Sequence, residues 1–122
     1  MQHNRLTVTL GGEPRELIFN IYAQAALCPM YDTLDALEAA QKAMEAVKTN
    51  YAVVTKQLIK IGLEGYYQQL HDKSHPFTNE EISEWLTNID WTDIPKIFTT
   101  FQNSFRIEEI IKTSKGKESK KK

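Results

Sequence analysis

Residues 50–70 read NYAVVTKQLIKIGLEGYYQQL, the most apolar run of this chain. Tyr51, Val54, Leu58 and Ile61 recur at i, i+3, i+7 and i+10, which lines them along one face of an α-helix. Ala52, Ile59, Leu63 and Tyr66 widen that stripe into a second face. A helix wetted on one side needs a single stripe, so the doubled stripe predicts a central helix packed on two sides. Gly62 and Gly65 stand inside it, each costing about 1 kcal/mol relative to Ala. Two such residues one turn apart predict either a close helix crossing or early fraying.

Upstream, Asp32 or Thr33 is placed to cap a helix from Leu34 to about Lys48. Leu34, Leu37, Met44 and Val47 form its expected buried edge, and Ala36, Ala39, Ala40, Ala43 and Ala46 allow a neighbour to approach closely. Thr49-Asn50 predicts a break or kink before the central helix. Further back, Leu6, Val8 and Leu10 alternate with Thr7 and Thr9, the pattern of a half-buried strand. Gly11-Gly12-Glu13-Pro14 signals a turn, and Leu17, Phe19 and Ile21 alternate with Glu16, Ile18 and Asn20. A hairpin of Leu6–Leu10 with Arg15–Phe19 follows. An isolated hairpin is marginal in water, so its apolar face must pack on helices or its edge must pair with another subunit. Asn20 can cap a short helix over Ile21–Leu27, which Pro29 ends by disfavouring helical geometry at Cys28.

Downstream, His71 to Pro76 reads as a loop. Thr78 and Glu81 then form a capping box, with Phe77 and Ile82 spaced as a hydrophobic staple. That helix, from Asn79 to about Asn88, should bury Ile82, Trp85, Leu86 and Ile89. Thr92 or Asp93 caps a last helix with Pro95 in its first turn, and Ile94, Ile97, Phe98, Phe101 and Phe105 are its apolar face. Residues Ile107–Ile111 continue it or form a separate turn. The expected fold is mainly α: a two-stranded N-terminal hairpin on four to five helices over residues 1–112, with a disordered basic tail over 113–122.

A chain of 122 residues suits one domain with a modest core. The 41% hydrophobic and 25% charged content is that of an ordinary globular domain. No apolar run is long enough to span a membrane, and the first residues lack the pattern of a signal peptide. The single cysteine, Cys28, permits no internal disulfide and fits a reducing cytoplasm. The net charge of −1 hides an asymmetry: residues 112–122 carry six lysines against Glu118, for +5, and the rest carries nine basic and fifteen acidic residues, for −6. An acidic body is a poor nucleic-acid surface, because phosphate binding needs clustered Lys and Arg.

No catalytic set, cofactor motif or metal motif emerges. His71 and His75 have a zinc-compatible spacing, but Pro76 follows and no third ligand joins them, so a solvated loop is the better reading. Asp32 with Asp35, and Glu80, Glu81 and Glu84, fit helix N-termini, where the dipole favours acids. Cys28 reads as a small buried hydrophobe. Gly11-Gly12 lacks the lysine and helix of a phosphate loop. Trp85 reads as core, and Trp91, on a connector, as a partner contact. The lysine tail reads first as solubilising, with weak binding of nucleic acid or acidic protein as the alternative.

The opening segment LTVTLGGEPRELIFNIYAQAAL, Leu6–Leu27, resembles the start of tail assembly chaperones of long-tailed phages and prophages. Those proteins begin with a strand, a Gly-containing turn, a second strand with alternating Leu and Phe, and a short helix, followed by a helical remainder of about this length. The resemblance implies a non-enzymatic chaperone that binds the long, helical tape measure protein in the host bacterial cytoplasm while the tail tube polymerises. It implies contact with the tape measure protein, with the tail tube protein and self-association as further options, and absence from the finished virion. It also implies a short form and a longer form made by ribosomal frameshifting; this chain resembles the short form, and its Lys120-Lys121-Lys122 ending is compatible with an A-rich slippery site. A helical client needs an apolar groove, for which the face of Ala36, Ala39, Ala40 and Ala43 with Tyr66, Tyr67 and Trp91 is the candidate. The alternative is a small cytoplasmic adaptor or regulator that acts through its helical surface or basic tail.

Overall fold

The computed structural model describes residues 4–105, and the chain is mainly helical with an N-terminal hairpin. Strands β1 (Arg5–Leu10) and β2 (Glu13–Ile18) pair antiparallel, with Leu10 opposite Glu13 and Leu6 opposite Leu17. The turn is therefore only Gly11-Gly12, at φ +65° and +81°, left-handed geometry that Gly adopts without strain. This is tighter than the four-residue turn that the sequence suggests. Pro14 joins the strand instead, opposite Thr9, where its missing N–H faces away from β1. Val8, Leu10 and Leu17 are buried, while Thr7 and Thr9 are exposed.

Asn20 caps α1 (Ile21–Leu27) as expected, its Oδ1 accepting from the Tyr22 and Ala23 amides. Pro29 does not force Cys28 out of helical geometry. Cys28 keeps φ −54° and ψ −51° and opens a 3₁₀ turn, Cys28–Tyr31, in whose first positions Pro29 has no amide to lose. The turn ends on Asp32, left-handed at φ 55°.

Helix α2 spans Ala36–His71, with Asp35 rather than Asp32 or Thr33 as its cap; Asp35 Oδ1 accepts from the Leu37 and Glu38 amides. Leu34 thus precedes the helix and is fully exposed, and Leu37 is exposed as well, so neither forms the buried edge. That edge consists of Ala39, Ala40 and Ala43, which are buried, with Met44 and Val47 half-buried. The expected break is a kink within α2, at Asn50 (φ −146°, ψ 58°). Beyond it Val54, Leu58, Ile59, Ile61 and Leu63 are buried, so the second segment packs on more than one side.

Gly62 and Gly65 serve neither a helix crossing nor fraying, since the helix continues to His71. They admit β2. A Cβ on Gly62 would come within 2.7 Å of the Leu17 Cβ, and one on Gly65 would overlap the Ile18 carbonyl oxygen. Asn20 fastens the same junction, its Nδ2 donating to the Gly65 carbonyl (3.1 Å) and to Gln69 Oε1 (2.8 Å).

Helix α3 (Asn79–Thr87) starts with the predicted capping box: the Glu81 amide donates to Thr78 Oγ1, and the Thr78 amide donates to Glu81 Oε1. Helix α4 begins at 93 and reaches 105, the last described residue. Its turn is set by Asp90, whose Oδ1 accepts from the Thr92 amide and hydroxyl. Ile94, Ile97, Phe101 and Phe105 are buried, and Phe101 meets Phe19 edge-on at 5.5 Å, which joins α4 to the end of the hairpin. The readings of Ile107–Ile111 and of the basic tail lie outside the described residues.

Candidate partner-binding surfaces

The predicted alanine face is mostly core. Ala39 and Ala43 are fully buried, Ala40 nearly so, and Ala36 is half-buried. The small side chains of Ala39 and Ala43 do allow a close neighbour, but within the fold, so these two are not a client surface. Ala40 lines a groove, an opening of about 540 Å³ between the first segment of α2 and α4. Met44, Phe101 and Phe105 give that groove apolar walls, with Glu45 and Lys48 among its polar residues.

Tyr66 and Tyr67 are half-buried and pack edge-on against each other at 5.1 Å. Tyr67 also meets Phe77 edge-on, and Phe77 meets Trp85 at 4.9 Å. The Arg15 guanidinium lies 4.8 Å from the Phe77 ring centre and 4.5 Å from that of Trp85. This cation–π stack binds the hairpin to the loop and α3. The tyrosine pair thus belongs to the packing around β2 and borders a cleft of about 100 Å³. Trp85 is half-buried, in accord with a packing role.

Trp91 is 71% exposed. It stacks on Tyr51 at 6.3 Å and 12°, and Tyr51 stacks on Phe98 at 5.9 Å and 13°. Three elements build this column: Tyr51 in the first turn after the kink, Trp91 on the connector and Phe98 on α4. Tyr51 is 39% exposed rather than part of the buried face that its spacing suggests, because it sits at the kinked end of the second segment. Periodicity cannot find such a column, whose rings come from separate elements.

A second groove, of about 370 Å³, runs between α1 and the second segment of α2. Tyr22, Ala25, Ala26, Met30 and Ile61 supply its apolar surface, and Lys60, Glu64, Gln68 and His75 its polar part. Burial pushes the Glu64 carboxyl up, but hydrogen bonds from Gln68 Nε2 (2.7 Å), Ser74 Oγ (3.0 Å) and the His75 amide (3.3 Å) outweigh it and hold the group below the ordinary carboxylate value. Burial holds the His75 ring below the ordinary histidine value, with Glu64 opposing and Lys60 reinforcing the shift. His75 Nδ1 accepts from the Phe77 amide at 3.2 Å, so this ring organises the entry to α3. His71 is exposed and packs beside Tyr66 and Tyr67. Among the described residues, no group of three His, Cys, Asp or Glu side chains could hold a metal ion. Asp35 and Glu81 are cap residues. Cys28 is buried and its thiol donates to the Gln24 carbonyl.

No protein-family model matches the chain, and neither a curated protein nor a solved structure is found similar to it. Among the described residues, no helix is long and apolar enough to cross a membrane.

Proposed function

We propose that the protein is a non-enzymatic tail assembly chaperone of a long-tailed phage or prophage, which binds segments of the tape measure protein in the host bacterial cytoplasm. One observation carries the reading: a groove with apolar walls lies beside each segment of the kinked α2, and an exposed aromatic column stands at the kink. An amphipathic client helix lies in such grooves through residues spaced i, i+3, i+4 and i+7. The opening hairpin and capped α1 support the same reading, since the resemblance rests on that order of elements. The tail tube protein is a second candidate partner.

The test has two parts. The gene should have an A-rich slippery run at its lysine codons, an overlapping −1 frame and a very long helical reading frame nearby. Peptides from that neighbouring product should bind the full chain and protect it from thermal unfolding. Absence of all three gene features, with no peptide binding, overturns the reading. The adaptor alternative rests on the +5 charge of residues 112–122. Deleting Thr113–Lys122 separates the two: a chaperone keeps client binding through its body, and a tail-dependent adaptor loses it.

A further inference from the structure

The two edges of the hairpin differ. On β2, Pro14 has no N–H to offer, and the Ile18 carbonyl is held against α2 at Gly65. On β1, the Phe19 amide donates to the Asn4 carbonyl at 2.7 Å, which sets the alternation of the ladder. Asn4, Leu6, Val8 and Leu10 turn their backbone groups toward β2, while Arg5, Thr7 and Thr9 direct theirs away from it. Among the described residues, the amides and carbonyls of Arg5, Thr7 and Thr9 have no hydrogen-bond partner. Thr7 and Thr9 are exposed. Natural edges are blunted by proline, lysine or a bulge; β1 has none of these, and its one cation, Arg5, is engaged by Glu16 across the hairpin.

We propose that β1 pairs with β1 of a second copy of this chain, antiparallel about a two-fold axis at Thr7, to form a four-stranded sheet. The strand is complementary to itself in that register. Thr7 faces the partner's Thr7, Arg5 faces the partner's Thr9 and Leu6 faces the partner's Val8, so polar residues meet on one face and apolar residues on the other. No like charges oppose. All three outward residues find partners, and Leu6, half-buried in one chain, gains an apolar neighbour. An axis at Val8 would set Arg5 against the Gly11 turn, and an axis between Thr7 and Val8 would place apolar residues on the polar face. This inference stands on the edge alone and is independent of any phage client.

The test uses the full chain. At roughly 0.5 mM, where a dimer with Kd near 0.1 mM is mostly formed, sedimentation should show a dimer. Thr7→Pro should be monomeric with an unchanged circular dichroism spectrum, because the Thr7 N–H takes no part in the hairpin ladder. In a Cys28→Ala background, Thr7→Cys should form a disulfide-linked dimer under mild oxidation, since residues paired across the axis lie about 5.5 Å apart, within disulfide reach. A monomeric wild type, a Thr7→Pro protein that stays folded and dimeric, or a Thr7→Cys protein that does not cross-link overturns the proposal. If Thr7→Pro fails to fold, the cross-link decides.

Discussion

At the scale of single residues, Gly65 has the most demanding surroundings. Helix propensity alone makes Gly65→Ala stabilising by about 1 kcal/mol. The contact with the Ile18 carbonyl reverses that sign, because a new Cβ must displace backbone rather than a flexible side chain. The expected outcome is a loss of about 1–3 kcal/mol in urea unfolding, in the range of strained core substitutions. A gain would mean that β2 does not approach α2 so closely. Asn20 closes the same joint from the other side by capping α1 and donating to the Gly65 carbonyl.

His75 makes a pH prediction. Its folded value is depressed by burial, so the unfolded state takes up a proton more readily. Its stability contribution is complete above about pH 6.5 and is lost as the pH falls through and below that value. Glu64, also depressed, acts in the same direction at lower pH, with loss as the pH falls below the ordinary carboxylate value. Urea midpoints should therefore drop from pH 7.5 to pH 5.5, and His75→Gln should flatten that drop. An unchanged slope in the variant would refute the assignment.

At the scale of elements, α3 depends on its start signal more than on its length. It is a helix of 9 residues with Ile82 as its only fully buried side chain. Isolated helices of this length are marginal, so the cap matters. Thr78→Ala should cost about 1 kcal/mol, and combining it with Glu81→Ala should cost less than the sum, because the two side chains act as one reciprocal unit. Strict additivity in a double-mutant cycle would show that the box contributes nothing as a pair. The same signal was legible in sequence because capping is local chemistry. The start of α2 was harder to read: Asp32, Thr33 and Asp35 are all good cap residues, and the choice fell to Asp35 because the 3₁₀ turn carries the chain past Asp32 in a left-handed conformation.

At the scale of the whole molecule, the proposed client surface can be separated from stability. Trp91 is exposed, so Trp91→Ala should change unfolding free energy by only about 0.5 kcal/mol, while removal of a central aromatic contact weakens partner binding by about tenfold or more. Tape measure peptides titrated against both proteins would read this directly. Equal affinities would exclude the aromatic column as the docking surface.

The sequence by itself determined the hairpin, the capped starts of α1 and α3, the kink beside Thr49 and most of the apolar core. These follow from alternation, 3.6-residue periodicity and cap residues, which act between neighbours along the chain. It also pointed to Trp91 as exposed, because a large ring on a short connector has little around it. Only the tertiary structure decided the rest. The alanines of α2 could equally have faced a partner or the fold, since small side chains permit close approach without naming the neighbour. Gly62 and Gly65 likewise announced an approach, but a strand and not a helix came in, and no local rule distinguishes the two. The column of Tyr51, Trp91 and Phe98 and the open edge of β1 both arise from residues or backbone groups whose roles depend on what lies beside them in space, and that is settled only when the elements have packed.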